Sequence, residues 1–316
     1  MHPSALLVWI WRRVMARVTV RQERRFARHP VDGVQRVLDV AYVDDGDPEH
    51  RLDVLRPAGR VEPAPVYVYF HGGGWTSGDK SSTDRYCASQ AAAGFVVVNA
   101  NYRLASGRDE YHMRCMVDDA NRVLGWVRDE IARFGGDPER IVVGGDSAGG
   151  QIAALAVAAA SRPDLAAHFA LDPALPAGAV RGVVQHCSFS DVGPAAKPWS
   201  PALGFVRLLL PRGGRGLKGA AFAEAARYLS PVEWIAAGFP ATFVSTSARD
   251  FLRASSAALV ERLRRHDVPV DSVVLGRRHR RAGHTWQQDA SLPESQLVYR
   301  RLQGFLRRVT APPVAV

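Results

Sequence analysis

Short Val-rich runs alternate with longer stretches of helical period over most of this chain. "RLDVLRP" (51–57), "VYVYFHG" (66–72), "GFVVVNANY" (94–102), "RIVVGGDS" (140–147), "VRGVVQHCSFS" (180–190), "ATFVSTSARD" (241–250) and "VDSVVLGRRH" (270–279) read as strands that stop at polar or small residues. Residues 113–134, 150–162, 254–266 and 294–309 instead repeat apolar positions every three or four residues, the spacing of helices with one buried face. This alternation predicts an α/β fold, a mostly parallel sheet covered by helices on both faces. Several runs are apolar at every position, as burial on both sides requires.

Two segments break the pattern. In residues 1–35, Leu7, Trp11, Val14 and Val18 follow helical spacing with Arg on the other faces. Residues 192–235 form a Pro/Gly/Arg-rich insertion between two strands, too long for a simple crossover. With 316 residues, 47% of them hydrophobic and 23% charged, the chain is long enough to bury a substantial core. It has no apolar run long enough for a membrane span, and "ALLVWIW" lacks the flanks of a signal peptide.

The net charge of +10 is carried by Arg, since Lys occurs only at Lys80, Lys197 and Lys218. The Arg residues are scattered and form no recognised nucleic-acid motif, which argues against that class of partner. Cys87, Cys115 and Cys187 are too far apart for a metal spacing and odd in number, so they read as free thiols of a reducing cytoplasm.

The chemistry is concentrated in "VVGGDSAGGQIAAL" (142–155). Gly145-Asp146-Ser147-Ala148-Gly149 is G-x-S-x-G with a strand before it and a helix after it, the context of a nucleophile elbow. Such a turn strains Ser147 and holds its hydroxyl at a helix N-terminus, where developing negative charge is favoured. A serine needs a base. His284, in the loop "RAGHTWQQ" after the last strand, fits better than His279, which sits among Arg residues. Asp250, at the end of a strand, is the expected acid, with Asp191 as its rival, and Asp146 is expected to pin the nearby glycine loop.

"HGGGW" (71–75), "GDSAGG" (145–150), an acid before x-Leu at Asp250 and a histidine after the last strand together resemble the hormone-sensitive-lipase-like branch of the α/β-hydrolases. The resemblance covers about residues 36–310. It implies an eight-stranded sheet, a cap built from residues 1–35 and 192–235, and a core divided into residues 36–191 and 236–316. It also implies a carboxylesterase or lipase-like enzyme for esters of short to medium acyl chain, with Ser147, Asp250 and His284 as catalytic triad. Backbone amides of Gly73, Gly74 and Ala148 would form the oxyanion hole, where a Cβ at Gly73 or Gly74 would intrude or turn an amide away. One departure is His284-Thr285-Trp286, where the family often has His-Gly-Phe.

The resemblance calls for no cofactor and no metal, and for a small-molecule ester as partner, in a cytoplasmic protein for which a homodimer stays open. "HGGGW" is also similar to the H-G-G-x-W of arylformamidases, so amide hydrolysis is the alternative activity. A non-catalytic ligand-binding module, as in the plant gibberellin receptors, would be expected to lack a triad member. The N-terminal stripe of Leu7, Trp11 and Val14 is expected to line the acyl pocket, the alternative being a basic amphipathic helix that touches a membrane or a partner.

Overall fold

A computed structural model describes residues 3–26, 30–59, 62–106 and 111–312. Eight strands form one sheet: β1 Val34–Ala41, β2 Arg51–Pro57, β3 Ala64–Phe70, β4 Val96–Ala100, β5 Gly136–Asp146, β6 Val180–His186, β7 Thr242–Ser247 and β8 Val270–Leu275. Their order across the sheet is β1-β2-β4-β3-β5-β6-β7-β8. The pairs β1–β2 and β2–β4 are antiparallel and the other neighbours are parallel. The fold is therefore α/β and mostly parallel, with an antiparallel edge.

Alternation along each strand sends side chains to two cores. On β3, Val66, Val68 and Phe70 face α3 (Met113–Glu130) and α4 (Ser147–Ala159), whereas Tyr67 and Tyr69 face α2 (Asp84–Ala92) and α9 (Pro293–Val309). The remaining helices, in chain order, are α1 (Pro3–Phe26), α5 (Pro163–Phe169), α6 (Leu203–Leu208), α7 (Gly219–Tyr228) and α8 (Arg253–Arg265). The central strands are buried almost throughout, which explains their unbroken apolar runs.

Two elements escape the sequence pattern. β1 is an exposed edge strand with Arg36 and Asp39 among its apolar residues, so it shows no clean alternation. α2 is short and mixes small and polar residues. Conversely, β4, β6, β7 and β8 all end earlier than their Val-rich runs suggest. The polar residues beyond their C-terminal ends belong to loops at one edge of the sheet, and those loops carry the candidate chemistry.

The 192–235 insertion is a closed excursion. Val192 N–H donates to Ser230 Oγ at 3.0 Å, and Val232 N–H donates to the Ser190 carbonyl at 3.0 Å, so it leaves and returns at one point. Between these ties it forms α6 and α7. α1 reaches across to it, with the Trp11 ring edge-on to Phe205 of α6 at 5.5 Å. The N-terminal stripe divides differently from expectation, however. Val8 and Trp11 turn toward the protein while Val14 and Val18 are exposed, and the side chain of Leu7 lies outside the described residues. Both faces of this helix are apolar, so spacing alone could not say which one is buried.

Candidate active site

The site begins with a close backbone approach. β3 and β5 run parallel with Phe70 opposite Gly145, so the segment leaving β3 and the turn leaving β5 emerge side by side. A Cβ on Gly149 would overlap the carbonyl oxygens of both Phe70 and His71, so glycine there lets the first turn of α4 rest directly on the end of β3. Ser147 occupies the turn with φ 51, the left-handed conformation expected of the elbow. Asp146 stands at the N-cap of α4 but does not cap it. Its Oδ1 accepts from the Tyr69 hydroxyl at 2.8 Å and from the Gly72 amide at 3.1 Å, and Oδ2 accepts from Gln288 Nε2 at 3.1 Å. Burial pushes this carboxyl upward against those donors and His284. Asp146 thus pins the glycine loop, as expected, and leaves the first-turn amides of α4 without a side-chain cap.

His284 bridges the other two polar residues. Its Nδ1 lies 2.7 Å from Asp250 Oδ1 and its Nε2 lies 3.0 Å from Ser147 Oγ. Asp250 is an acceptor, which assigns the ring proton to Nδ1 and leaves Nε2 to accept from the serine. Thr246 Oγ1 donates to Asp250 Oδ2 at 2.8 Å, and Leu252 N–H donates to Oδ1 at 3.0 Å. Burial pulls the Asp250 carboxyl upward, but the bond and charge of His284, together with the Leu252 and Thr246 donors, outweigh it and hold the group below the usual carboxylate range. The loop bearing His284 is tied to α9, where Ser295 Oγ donates to the Trp286 carbonyl at 2.8 Å and Tyr299 hydroxyl to Gln287 carbonyl at 2.6 Å. Thr285 takes φ 55, so the residue that replaces the family's usual glycine still adopts a glycine-like conformation.

The rivals lie elsewhere. His279 Nδ1 pairs with Glu294 Oε1 at 3.0 Å, and Asp191 Oδ1 accepts from the Gly193 amide at 3.0 Å. His186, bonded to Tyr86 and Ser245, is sealed inside the protein and burial drives its pKa down to about 3, so it is neutral and beyond reach of a substrate. Cys187 has its sulfur within 4.8 Å of ligand atoms of Asp250 and His284, the one metal-like grouping among the described residues. Burial pushes its thiol well up, which keeps it protonated and a poor ligand.

Gly73 has φ 123 and Gly74 φ 63. No acceptor among the described residues takes either amide hydrogen, and the loop that carries them passes Ser147 at Gly72, where an added Cβ would lie 3.1 Å from the serine Cβ. A Cβ on Gly73 would overlap the Ser77 carbonyl, and one on Gly74 would lie 2.8 Å from Trp11 Nε1. The contacts give the glycines a structural reason as well, because the added carbon meets protein backbone or Trp11. Residues not singled out from sequence complete the surroundings. Trp75 Nε1 donates to Gln151 Oε1 at 2.8 Å, and Gln151 Nε2 donates to the Leu229 carbonyl, which ties the loop to α4 and to the end of the insertion. A lone Gln in the otherwise apolar α4 was the available signal. Phe251, 71% exposed, lies against the His284 ring with centroids 4.2 Å apart.

The family description of an alpha/beta hydrolase fold matches residues 67–283, and the chain belongs to that family. Carboxylesterase NlhH of Mycobacterium tuberculosis is 45% identical over 92 residues, 29% of this chain and 28% of that protein. Esterase LipI of the same species is 38% identical over 139 residues, 43% of this chain and 42% of its own. The matched segments thus span less than half the length of these relatives. Among solved structures, esterase B from Lactobacillus rhamnosis, crystallised with a tributyrin phosphonate inhibitor, superimposes with a TM-score of 0.85 at 21% identity and covers 98% of this chain and 96% of its own. This likeness shows the fold.

Gly73→Ala will therefore cost folding as well as any turnover, contrary to what a purely catalytic glycine would give. We expect a loss of about 2 kcal/mol or more in urea unfolding, from the overlap and the left-handed backbone. A variant of unchanged stability would contradict this geometry.

Proposed function

We propose that the chain is a serine hydrolase that cleaves carboxylic esters of short to medium acyl chain through an acyl-enzyme. The observation that carries the reading is the unbroken line Asp250–His284–Ser147, with the amides of Gly73 and Gly74 free of a protein acceptor on the loop that passes the serine at Gly72. In this mechanism His284 Nε2 takes the Ser147 proton as Oγ attacks the ester carbonyl, and Asp250 stabilises the imidazolium that forms. The negative oxygen of the tetrahedral intermediate accepts from the Gly73, Gly74 and Ala148 amides, each of which is worth about 3 kcal/mol in such sites. The imidazolium then protonates the departing alcohol. Water, deprotonated by the same ring, attacks the acyl carbon, and as the bond to Ser147 Oγ breaks and the acid leaves, the imidazolium returns that proton to Oγ.

Residues 1–35 and 192–235 are proposed to cap the site. The aromatic cluster of Trp11, Phe205, Trp75 and Phe189 supports this, since it brings α1, the insertion and the glycine loop together. A cap filled by these rings favours short acyl chains. The names of the relatives agree with ester hydrolysis, and the presence of all three polar residues weighs against a ligand-binding module. Among the described residues no helix is long and apolar enough to cross a membrane.

The test is a chain-length series of p-nitrophenyl esters. Turnover is expected to be highest for acetate to hexanoate, and Ser147→Ala is expected to lower it by about a thousandfold or more. Activity that persists in Ser147→Ala would overturn the mechanism, and turnover of N-formyl aromatics alone would replace the ester with an amide.

A further inference from the structure

The carbonyl of Gly73 and the amide of Gly74 belong to one planar peptide, so fixing the direction of the first fixes that of the second. Flanked by two glycines, this plane has no side chain of its own to hold it. Two donors converge on its oxygen: Trp11 Nε1 of α1 at 3.0 Å and Ser77 Oγ at 2.6 Å. Trp11 is held in turn by Phe205, and the next residue, Arg12, donates from Nε to the Thr76 carbonyl at 2.6 Å, so α1 grips the loop at two points. We propose that Trp11 and Ser77 are positioning residues that lock the Gly73–Gly74 peptide with its N–H directed at the oxyanion above Ser147. The two bonds also polarise the peptide and strengthen that N–H as a donor. The inference rests on the ester-hydrolase reading and gives α1 a part in catalysis beyond shielding the site.

The experiment compares Trp11→Phe, Ser77→Ala, Ser77→Thr and the Trp11→Phe/Ser77→Ala pair on p-nitrophenyl acetate, with Ser147→Ala as the zero. Trp11→Phe keeps a ring against Phe205 and removes only the donor. Each donor-deleting single variant should lose about tenfold in kcat and the pair at least about a hundredfold, with KM within about twofold, because the donors act on the transition state. Ser77→Thr should recover most of the loss. A kcat in the pair within twofold of wild type, or a loss confined to KM, would overturn the proposal. Should Trp11→Phe not fold, Ser77→Ala and Ser77→Thr decide on the same oxygen. Equal turnover by wild type and Ser147→Ala is a different failure, which removes the hydrolase reading and this proposal with it.

The outer face of α1 carries a second, independent observation. Leu6, Trp9, Ile10, Val14 and Val18 lie on it at helical spacing, each between 37% and 49% exposed. Arg13 and Arg17 are exposed within the same stripe, and Arg13 lies over the Trp9 ring at 4.3 Å. The helix sequence holds six Arg against a single acidic residue, Glu23. Two copies of this face would set Arg13 and Arg17 against their like, which disfavours self-pairing. An anionic lipid surface satisfies both the apolar stripe and the guanidinium groups. The geometry points to α1 lying on such a surface, with its inner side still on the glycine loop.

Co-sedimentation of the full chain with vesicles of phosphatidylcholine and phosphatidylglycerol in equal parts, against phosphatidylcholine alone, tests this. Binding to the anionic vesicles should be at least about tenfold tighter and weaken at 0.5 M salt, as a screened attraction does. Trp9→Ser/Ile10→Ser should bind about tenfold more weakly while hydrolysing p-nitrophenyl acetate in solution as wild type does. No binding, equal binding to both vesicle types, or dimerisation that the same variant abolishes would overturn the proposal.

Discussion

The contact on which the rest of the site depends is the one between the first turn of α4 and the end of β3. Parallel pairing of β3 with β5 brings the two strand ends level, and the bare Cα of Gly149 lets the helix rest on the Phe70 and His71 carbonyls. The glycine loop then leaves β3 against Ser147, where a Cβ on Gly72 would lie 3.1 Å from the serine Cβ. Asp146 then fastens the loop by accepting the Gly72 amide instead of capping its own helix. The first-turn amides of α4 are thereby left without a side-chain cap at Ser147, where a helix N-terminus favours negative charge.

Around that contact the polar groups are arranged so that protonation states follow from burial and partners. Asp250 accepts three hydrogen bonds and stays charged despite its burial. His71 lies against Tyr102 with Nδ1 on the Gly72 carbonyl, and burial holds its pKa down, so it supports the loop as a neutral ring. His186, with a similar residue type in a sealed setting, is neutral for the same reason and takes no part. Partial exposure and the contact with Ser147 Oγ separate His284 from these two.

How much of this was legible in the sequence depended on distance along the chain. The elbow was readable because its demands are contiguous: a strand, small residues on both sides of Ser147, then a helix. Asp250 and His284 were readable because loops after parallel strands gather at one sheet edge, and the structure brings both into line with Ser147. The eighth strand followed from the family resemblance only, since β1 carries charges at an exposed edge. The bond from Trp11 to Gly73 joins residues 62 positions apart, and helical spacing, which puts Trp11 on the expected inner stripe, says nothing of which carbonyl its indole meets. Thr246 and Gln151 were hidden likewise, because a polar residue in a buried element declares a partner without naming it.

The claim that Ser147 becomes covalently attached can be tested without any assumption about the natural ester. Incubation with a p-nitrophenyl alkylphosphonate, followed by mass spectrometry of the proteolytic peptides, locates the residue that displaces p-nitrophenol. The account predicts one equivalent of phosphonyl group on the peptide containing Ser147, formed as activity disappears and far more slowly in His284→Ala. Inactivation with the label on another residue, or ester hydrolysis that continues with Ser147 fully labelled, would contradict it.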